Sequence, residues 1–441
     1  MQFFGRESEI ALLRRIRNAV SQSARFTVVT GRRRIGKTAL LRHVLDDGAI
    51  PYLHLPITRQ PEKALCTDFQ EEIEQVLHLG ILGAASRFAD LFSNIMAASR
   101  GRQFTLVLDE FQEFERINPA IFGQMAAIWD KYHAESHINL VVCGSINRMM
   151  NRIFFDEGEP LYGRTTGHIA LKPFKPSELK KILSTFNPNW TPDDLFSLWT
   201  VSGGVARYVD MMMTEGAVTR DGMLHAIFAQ GSPYLVEGRA ILAEEFGADY
   251  GTYFTILSSI ASGVTTTSEM KTAIGTDVNG FLTKLEKHYS LVSKKQPLFA
   301  KETSKDCHYQ IDDCFFRFWF RFVHRNRGLM ELERFERMLE IAERDFNVFG
   351  GYALERYFYW KFVEDSNYTA MGSWWNRKGE NEIDLVCFDE AAGRLDFYEV
   401  KHNPERIKIG VLERKVEAFW ASNPKLRDKT IRCLPLSLND M

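Results

Sequence analysis

Residues Gly31-Arg32-Arg33-Arg34-Ile35-Gly36-Lys37-Thr38 constrain this chain more than any other stretch. They satisfy G-x-x-x-x-G-K-[ST], and their flanks supply the context that pattern needs. Phe26-Thr-Val-Val-Thr30 reads as a short buried β-strand, and Ala39 to Leu45 reads as a helix. A strand–loop–helix of this kind turns the backbone N–H groups of Gly31 to Gly36 and of Ala39 toward a phosphate at the helix N-terminus. Lys37 is placed to reach β/γ-phosphate oxygens, and the Thr38 hydroxyl to ligate Mg²⁺. A glycine-rich turn matching by chance competes poorly in that context. The frame is therefore an α/β domain that binds ATP.

At 441 residues the chain has room for about three domains. Hydrophobic residues make up 45% and charged residues 25%, as in a soluble globular protein. The formal charge of −2 excludes a global basic signature, so any nucleic-acid surface must be local. Six cysteines without a C-x-x-C pair argue against structural zinc and against a secreted disulfide framework. Cys143 and Cys387 sit in apolar runs and read as small buried hydrophobes. The N-terminus is not a signal peptide, and no apolar run reaches membrane-spanning length. A cytoplasmic protein without a membrane partner is expected.

A second motif supports the first. Gln103-Phe-Thr-Leu-Val-Leu-Asp109-Glu110 is an apolar strand ending in two acids, the Walker B pattern. Asp109 would hold Mg²⁺ through water and Glu110 would polarise the attacking water. The bland alternative is an ordinary strand entering an acidic loop. The strand Ile138–Cys143 ends in Gly144-Ser145, where Ser145, with Asn147 as an outsider, is either a γ-phosphate sensor or a helix N-cap. Arg164, in the Gly-flanked loop before a strand at Ile169–Phe174, is either an arginine finger for a neighbouring subunit or a surface ion pair.

Residues 1–175 are thus read as the ATPase core. Residues 176–235 read as a helical lid, opening on a Ser177 N-cap and containing Ser202-Gly203-Gly204. Arg207 there either touches phosphate or caps the lid. Residues 236–344 contain three short helices (253–260, 267–274 and 278–288), then two strands, which together look like a winged helix-turn-helix. Its third helix carries Asn279, Thr283, Lys284 and Lys287, suited to a major groove, although such modules also serve as plain protein contacts. Phe315–Phe322 offers either a stacking platform or a buried helix. Its aromatic density favours burial.

A second constellation closes the chain, in residues 345–441. Glu355 lies on a helix, Asp384 on a strand, and Glu399-Val400-Lys401 on the next strand. This order reproduces the PD-(D/E)xK nuclease core. Glu399 and Lys401 lie two apart, so both face one side of the strand. Asp384 and Glu399 would share Mg²⁺ through hard oxygens, while Lys401 orients or deprotonates the attacking water. Glu355 would complete the metal site or position Lys401, with Arg414 and Lys415 flanking a phosphate backbone. The alternative is a salt-bridged strand pair in a purely structural module.

On Phe4-Gly5-Arg6-Glu7, the phosphate loop, Leu108-Asp109-Glu110, Gly144-Ser145, Gly163-Arg164, Gly203-Gly204 and the Asp384…Glu399-Val400-Lys401 tail, the chain resembles a known group. It is similar to bacterial and archaeal P-loop ATPases of the AAA+/STAND class that end in a restriction-endonuclease-like domain. Ala206 departs from the proline that many such proteins have after the double glycine. The resemblance implies an α/β P-loop sheet, a lid, a winged helix and a nuclease-like α/β domain. It also implies ATP-driven switching, often through homo-oligomers. Two functions follow: an ATPase coupled to a Mg²⁺-dependent DNA nuclease, or a switch whose C-terminal modules only bind a protein or DNA partner.

Overall fold

The computed structural model describes residues 3–78, 85–301, 304, 306–376 and 379–441. The chain forms two compact units, dividing between Lys172 and Pro173.

In the first unit, five parallel strands run β1 (Arg25–Thr30), β2 (Tyr52–Pro56), β3 (Phe104–Asp109), β4 (Ile138–Cys143) and β5 (Gly167–Ala170). Their spatial order is β2-β3-β4-β1-β5. The strand that ends at Gly144-Ser145 therefore lies between the strand entering the phosphate loop and the strand ending in Asp109. Both sheet faces are buried, as a parallel sheet requires. Val28, Leu106, Leu108, Leu140 and Val142 enter one core, and Val29, Val107, Val141 and Cys143 enter the other. This alternation is the two-residue period of a strand. Helices Glu7–Asn18 and Lys37–Leu45 are tied together by Arg17, which bonds Val44 O at 2.9 Å and both carboxylate oxygens of Asp47.

The second unit begins with helices Pro176–Phe186, Pro192–Ser202, Ala206–Thr214, Arg220–Phe228 and Pro233–Phe246. The first is capped at Lys175 rather than Ser177. Proline at the first helical position presets φ and needs no N–H partner, which moves the start back. Ser177 instead bonds Glu364 through both its N–H and its hydroxyl. Gly203 and Gly204 take left-handed backbones, and a Cβ on Gly204 would collide with the Phe174 carbonyl. Phe174 N donates to Gly204 O at 2.7 Å, so the turn is held by backbone contact. These helices share a core with the C-terminal module: Trp199 Nε1 donates to Ala353 O at 2.8 Å.

Helices Tyr250–Ala261, Thr267–Ile274 and Asn279–Lys287 come next, then an antiparallel hairpin of β6 (Val292–Lys295) and β7 (His308–Ile311). Phe315, Phe316, Phe318, Phe320 and Phe322 are buried in helical turns after β7. That burial leaves no exposed stacking surface on these rings. Helix Gly351–Asp365 precedes β8 (Ala370–Trp375), β9 (Glu382–Asp389) and β10 (Arg394–Val400). Helix Ile409–Ser422 and β11 (Thr430–Leu436) complete a sheet ordered β11-β10-β9-β8. Only β10 and β11 pair in parallel; β8, β9 and β10 are antiparallel neighbours. Leu412, Val416 and Phe419 of the last helix pack on Val386, Leu395 and Phe397. No helix among the described residues is long and apolar enough to cross a membrane.

Candidate functional site

Two clusters of charged residues stand out, one in each unit. In the first, β1 delivers the chain into Gly31, whose φ of 147° belongs to glycine. A Cβ there would lie 2.9 Å from the Leu171 carbonyl oxygen, so the loop start admits nothing larger. Gly36, at φ 96°, turns the loop into the helix Lys37–Leu45. Ile35 is buried, Arg34 and Ala39 are exposed, and Arg32, Arg33 and Thr38 are half-buried. Lys37 Nζ donates to Gly31 O at 2.8 Å and to Arg32 O at 3.3 Å. The ammonium is thereby folded over the loop that a phosphate would fill. Arg6 supports the loop from outside, its guanidinium 3.4 Å from Ile35 O.

Thr38 Oγ1 donates to Asp109 Oδ2 at 2.9 Å. His54 Nε2 lies 3.2 Å from the same oxygen, and Cys143 Sγ donates to Oδ1 at 2.9 Å. Burial works to raise the Asp109 carboxyl, yet the bonds from His54, Cys143 and Thr38 prevail and hold it at about 2. Asp109 is thus an anion stabilised by a histidine, a thiol and a hydroxyl. Glu110 takes a left-handed backbone at φ 54°, uncommon for a side chain of its kind. Its Oε2 accepts from Gln112 Nε2 at 2.5 Å and from Ser145 Oγ at 2.7 Å. Ser145 does not cap the following helix, whose cap position is Ile146. The side chain of Asn147 lies outside the described residues.

The hard oxygens of Thr38 and Asp109, side by side at the strand end, fit a hydrated Mg²⁺. Arg164 forms a two-point ion pair with Asp130, at 3.0 and 2.7 Å, and also bonds Pro160 O. Arg207 belongs to the other unit, where it is exposed and 3.6 Å from Asp210. The structure therefore brings together Lys37, Thr38, Asp109, Glu110 and Ser145 in the first unit. His54 and Gln112 are site residues that no motif marks, and Cys143, expected only as a buried hydrophobe, is bonded to Asp109. A histidine in the apolar run Tyr52–Leu55 was the available signal.

In the second unit, the β9–β10 register pairs Tyr398 with Leu385, so the next step sets Glu399 beside Asp384. Asp384 Oδ2 accepts from Val400 N at 2.8 Å. Lys401 Nζ bridges Asp384 Oδ2 and Glu399 Oε1, both at 2.9 Å, and Lys415 Nζ holds Glu399 Oε2 at 2.7 Å. Burial would raise Glu399, but Lys415 and Lys401 carry it below the usual carboxylate range. Burial raises Asp384 despite Lys401 and the Val400 N–H. Glu355 is pushed well above the usual range by burial and by the charges of Asp384 and Glu382. Lys401 is raised: burial opposes its charge, but Asp384 and Glu399 outweigh that. Arg414 is exposed, its Nε bonding Gly410 O within its own helix.

Asp384 and Glu399 offer hard oxygens that suit Mg²⁺ in chemistry. Among the described residues, however, no group of three or more His, Cys, Asp or Glu is gathered to hold a metal. The Lys401 ammonium is the cation these two acids share here.

The sequence profile of a family described as an ATPase domain predominantly from Archaea matches residues 3–212. A second profile, of archaeal and bacterial proteins of unknown function, matches residues 319–411. An uncharacterized protein of Methanocaldococcus jannaschii is 26% identical over 411 residues, covering 90% of this chain and 87% of its own. Among solved structures, the Walker-type ATPase of Pyrococcus abyssi is similar at a TM-score of 0.53 and 18% identity. That likeness covers 72% of this chain and 96% of the other. The ORC2 protein of Aeropyrum pernix, in ADPNP and ADP complexes, reaches a TM-score of 0.46 and 12% identity over 78% of this chain and 96% of its own. With the parallel sheet and the Lys37–Thr38–Asp109–Glu110 cluster, the profile match shows that residues 3–212 form an archaeal-type P-loop ATPase domain, whose fold the Pyrococcus abyssi structure shares.

Proposed function

We propose that the chain hydrolyses ATP at the Lys37/Asp109/Glu110 cluster and carries a Mg²⁺-dependent nuclease site at Asp384, Glu399 and Lys401. In the first site, Lys37 leaves the Gly31 and Arg32 carbonyls to meet β/γ-phosphate oxygens. Thr38 and Asp109 would hold a hydrated Mg²⁺, which would supply Lewis-acid polarisation of the phosphoryl group. Glu110, aimed by Gln112 and Ser145, orients the attacking water and takes its proton. Ser145 reports on the γ-phosphate through Glu110. Arg164 must leave Asp130 before it reaches a neighbouring subunit's phosphate in a homo-oligomer.

The observation that carries the nuclease reading is Lys401, bridging Asp384 and Glu399 at 2.9 Å each. An ammonium between two carboxylates marks a place where a divalent cation and a phosphate would meet the same groups. The helix–three strands–helix–strand order of residues 351–436 supports a restriction-endonuclease-like module. The three helices and hairpin of residues 250–311 support a winged helix, with exposed Asn279 and Thr283 available to DNA. A second reading, an ATP-driven switch that cuts nothing, is favoured by the absence of a three-ligand metal group among the described residues.

Incubation of plasmid and linear DNA with protein, ATP, and Mg²⁺ or Mn²⁺ separates the two. Cleavage by the natural chain and none by Lys401→Ala is expected. The nuclease reading falls if neither protein cuts under any metal, or if both cut equally.

A further inference from the structure

A cavity of about 560 Å³ lies between the β6–β7 hairpin and the carboxylates Glu355, Glu382 and Asp384. The same lining holds the exposed Lys294, Lys295, whose Nζ lies 3.6 Å from Asp312, and His308. The hairpin is fastened over the C-terminal sheet: Leu298 N donates to Ser373 O at 2.9 Å, and Trp375 Nε1 to Asp306 Oδ1 at 3.1 Å. The His308 ring sits 5.3 Å from that of Trp375. Tyr359 adds a second aromatic ring to the wall, with the Arg356 guanidinium 5.1 Å from its centre. Two polar atoms of wall residues, Tyr352 Oη and Arg356 Nε, are buried without a hydrogen-bond partner, a state that calls for an explanation such as a ligand.

We propose that this cavity takes one nucleotide of a single nucleic-acid strand, with the exposed Lys294 on its phosphate and Tyr359 or Trp375 against its base. The assignment rests on the nuclease reading and names its substrate class. An exposed lysine in a lining that also holds three carboxylates suits a phosphodiester that brings a divalent metal with it. Aromatic rings beside them give the sequence-tolerant stacking that single-strand binders use. An unpaired base can lay its face on such a ring, whereas the base faces inside a duplex are covered by their stacked neighbours.

Fluorescence anisotropy with the full chain tests this, in Ca²⁺ and without ATP. The probes are labelled ten-residue oligothymidylate and oligouridylate, against a blunt twenty-base-pair duplex. Single strands are expected to bind at least tenfold more tightly than the duplex. Lys294→Glu, at an exposed position, and Tyr359→Ala should each weaken single-strand binding about five- to tenfold. Lys294→Glu should also flatten its salt dependence by about 0.7 in slope. Thermal melts followed by circular dichroism confirm that both variants fold. Equal or tighter duplex binding, or single-strand affinity unmoved by both variants, overturns the proposal. Single-strand preference that persists in a protein unable to cut DNA removes the nuclease reading and supports the pocket. Cleavage of blunt duplex without single-strand preference leaves the nuclease reading and removes the pocket.

Discussion

The two acidic clusters of this chain solve one problem in opposite ways. Asp109 sits at the end of a parallel strand, and its charge is held by a histidine, a thiol and a hydroxyl. It stays ionised at about 2, and its nearby cation, Lys37, is tied to backbone carbonyls instead. Asp384 and Glu399 sit side by side on antiparallel strands and share Lys401, with Lys415 behind Glu399. There burial raises Asp384 and Glu355, so the cluster resists collecting further negative charge. A carboxylate steadied by hydrogen bonds rather than by lysines keeps its full charge for an incoming hydrated cation. Acids steadied by lysines must exchange one cation for another, so binding there is more strongly coupled to ionic strength.

The contrast is broken most directly at Lys37. Lys37→Ala is expected to lower ATP affinity at least a hundredfold, read with a fluorescent ATP analogue, because its ammonium is the group assigned to the β/γ oxygens. Unchanged affinity would remove the assigned site. Glu110→Gln should keep nucleotide binding and lower phosphate release about a hundred- to a thousandfold. Normal turnover in that variant would pass the proton to another group.

His54→Ala tests the hydrogen-bonded shell around Asp109. A weakening of Mg²⁺ dependence by about tenfold is expected, with ATP affinity in metal-free buffer unchanged. An equal loss without metal would mean that His54 only packs.

The smallest effect concerns stability in the C-terminal sheet. Asp396 is fully buried, bonded by Arg432 at 2.7 and 2.6 Å and by Tyr368 at 2.6 Å. Burial would raise its carboxyl, but Arg432 and Tyr368 lower it. A lowered acid contributes stability that is complete above its unfolded value near 3.8 and is lost as pH falls through its folded value. Asp396→Asn should therefore destabilise the second unit by about 2 kcal/mol at neutral pH, with Arg432 half exposed and able to rehydrate. The difference from the natural chain should shrink below about pH 4, as followed by denaturant melts. A pH-independent difference would place the effect in packing instead.

Much of the ATPase half was legible because its chemistry is local. Residues 31–38 carry loop, helix start and cation in one stretch, and Asp109-Glu110 end an apolar run. The partners of Asp109 were not legible, since His54 and Cys143 come from the strands on either side of β3 and meet it only through sheet order. Burial of Cys143 was expected from its apolar run; its bond to a carboxylate was not. In the C-terminal module, the two-residue spacing of Glu399 and Lys401 predicted a shared face, and Lys401 meets both acids. The role of Lys415 as a partner of Glu399 depends on how helix 409–422 lies on the sheet, which spacing does not encode.

Strand–loop–helix pattern, alternation and motif spacing thus determined where phosphate chemistry sits along the chain, because those signals need only neighbours in sequence. Tertiary structure alone decided which group neutralises which acid. It also decided that the helices after Pro173 share a core with the C-terminal module, and that the β6–β7 hairpin roofs its carboxylates. Charge pairing and cavity walls depend on distances between residues far apart in sequence, and those distances exist only once the chain has packed.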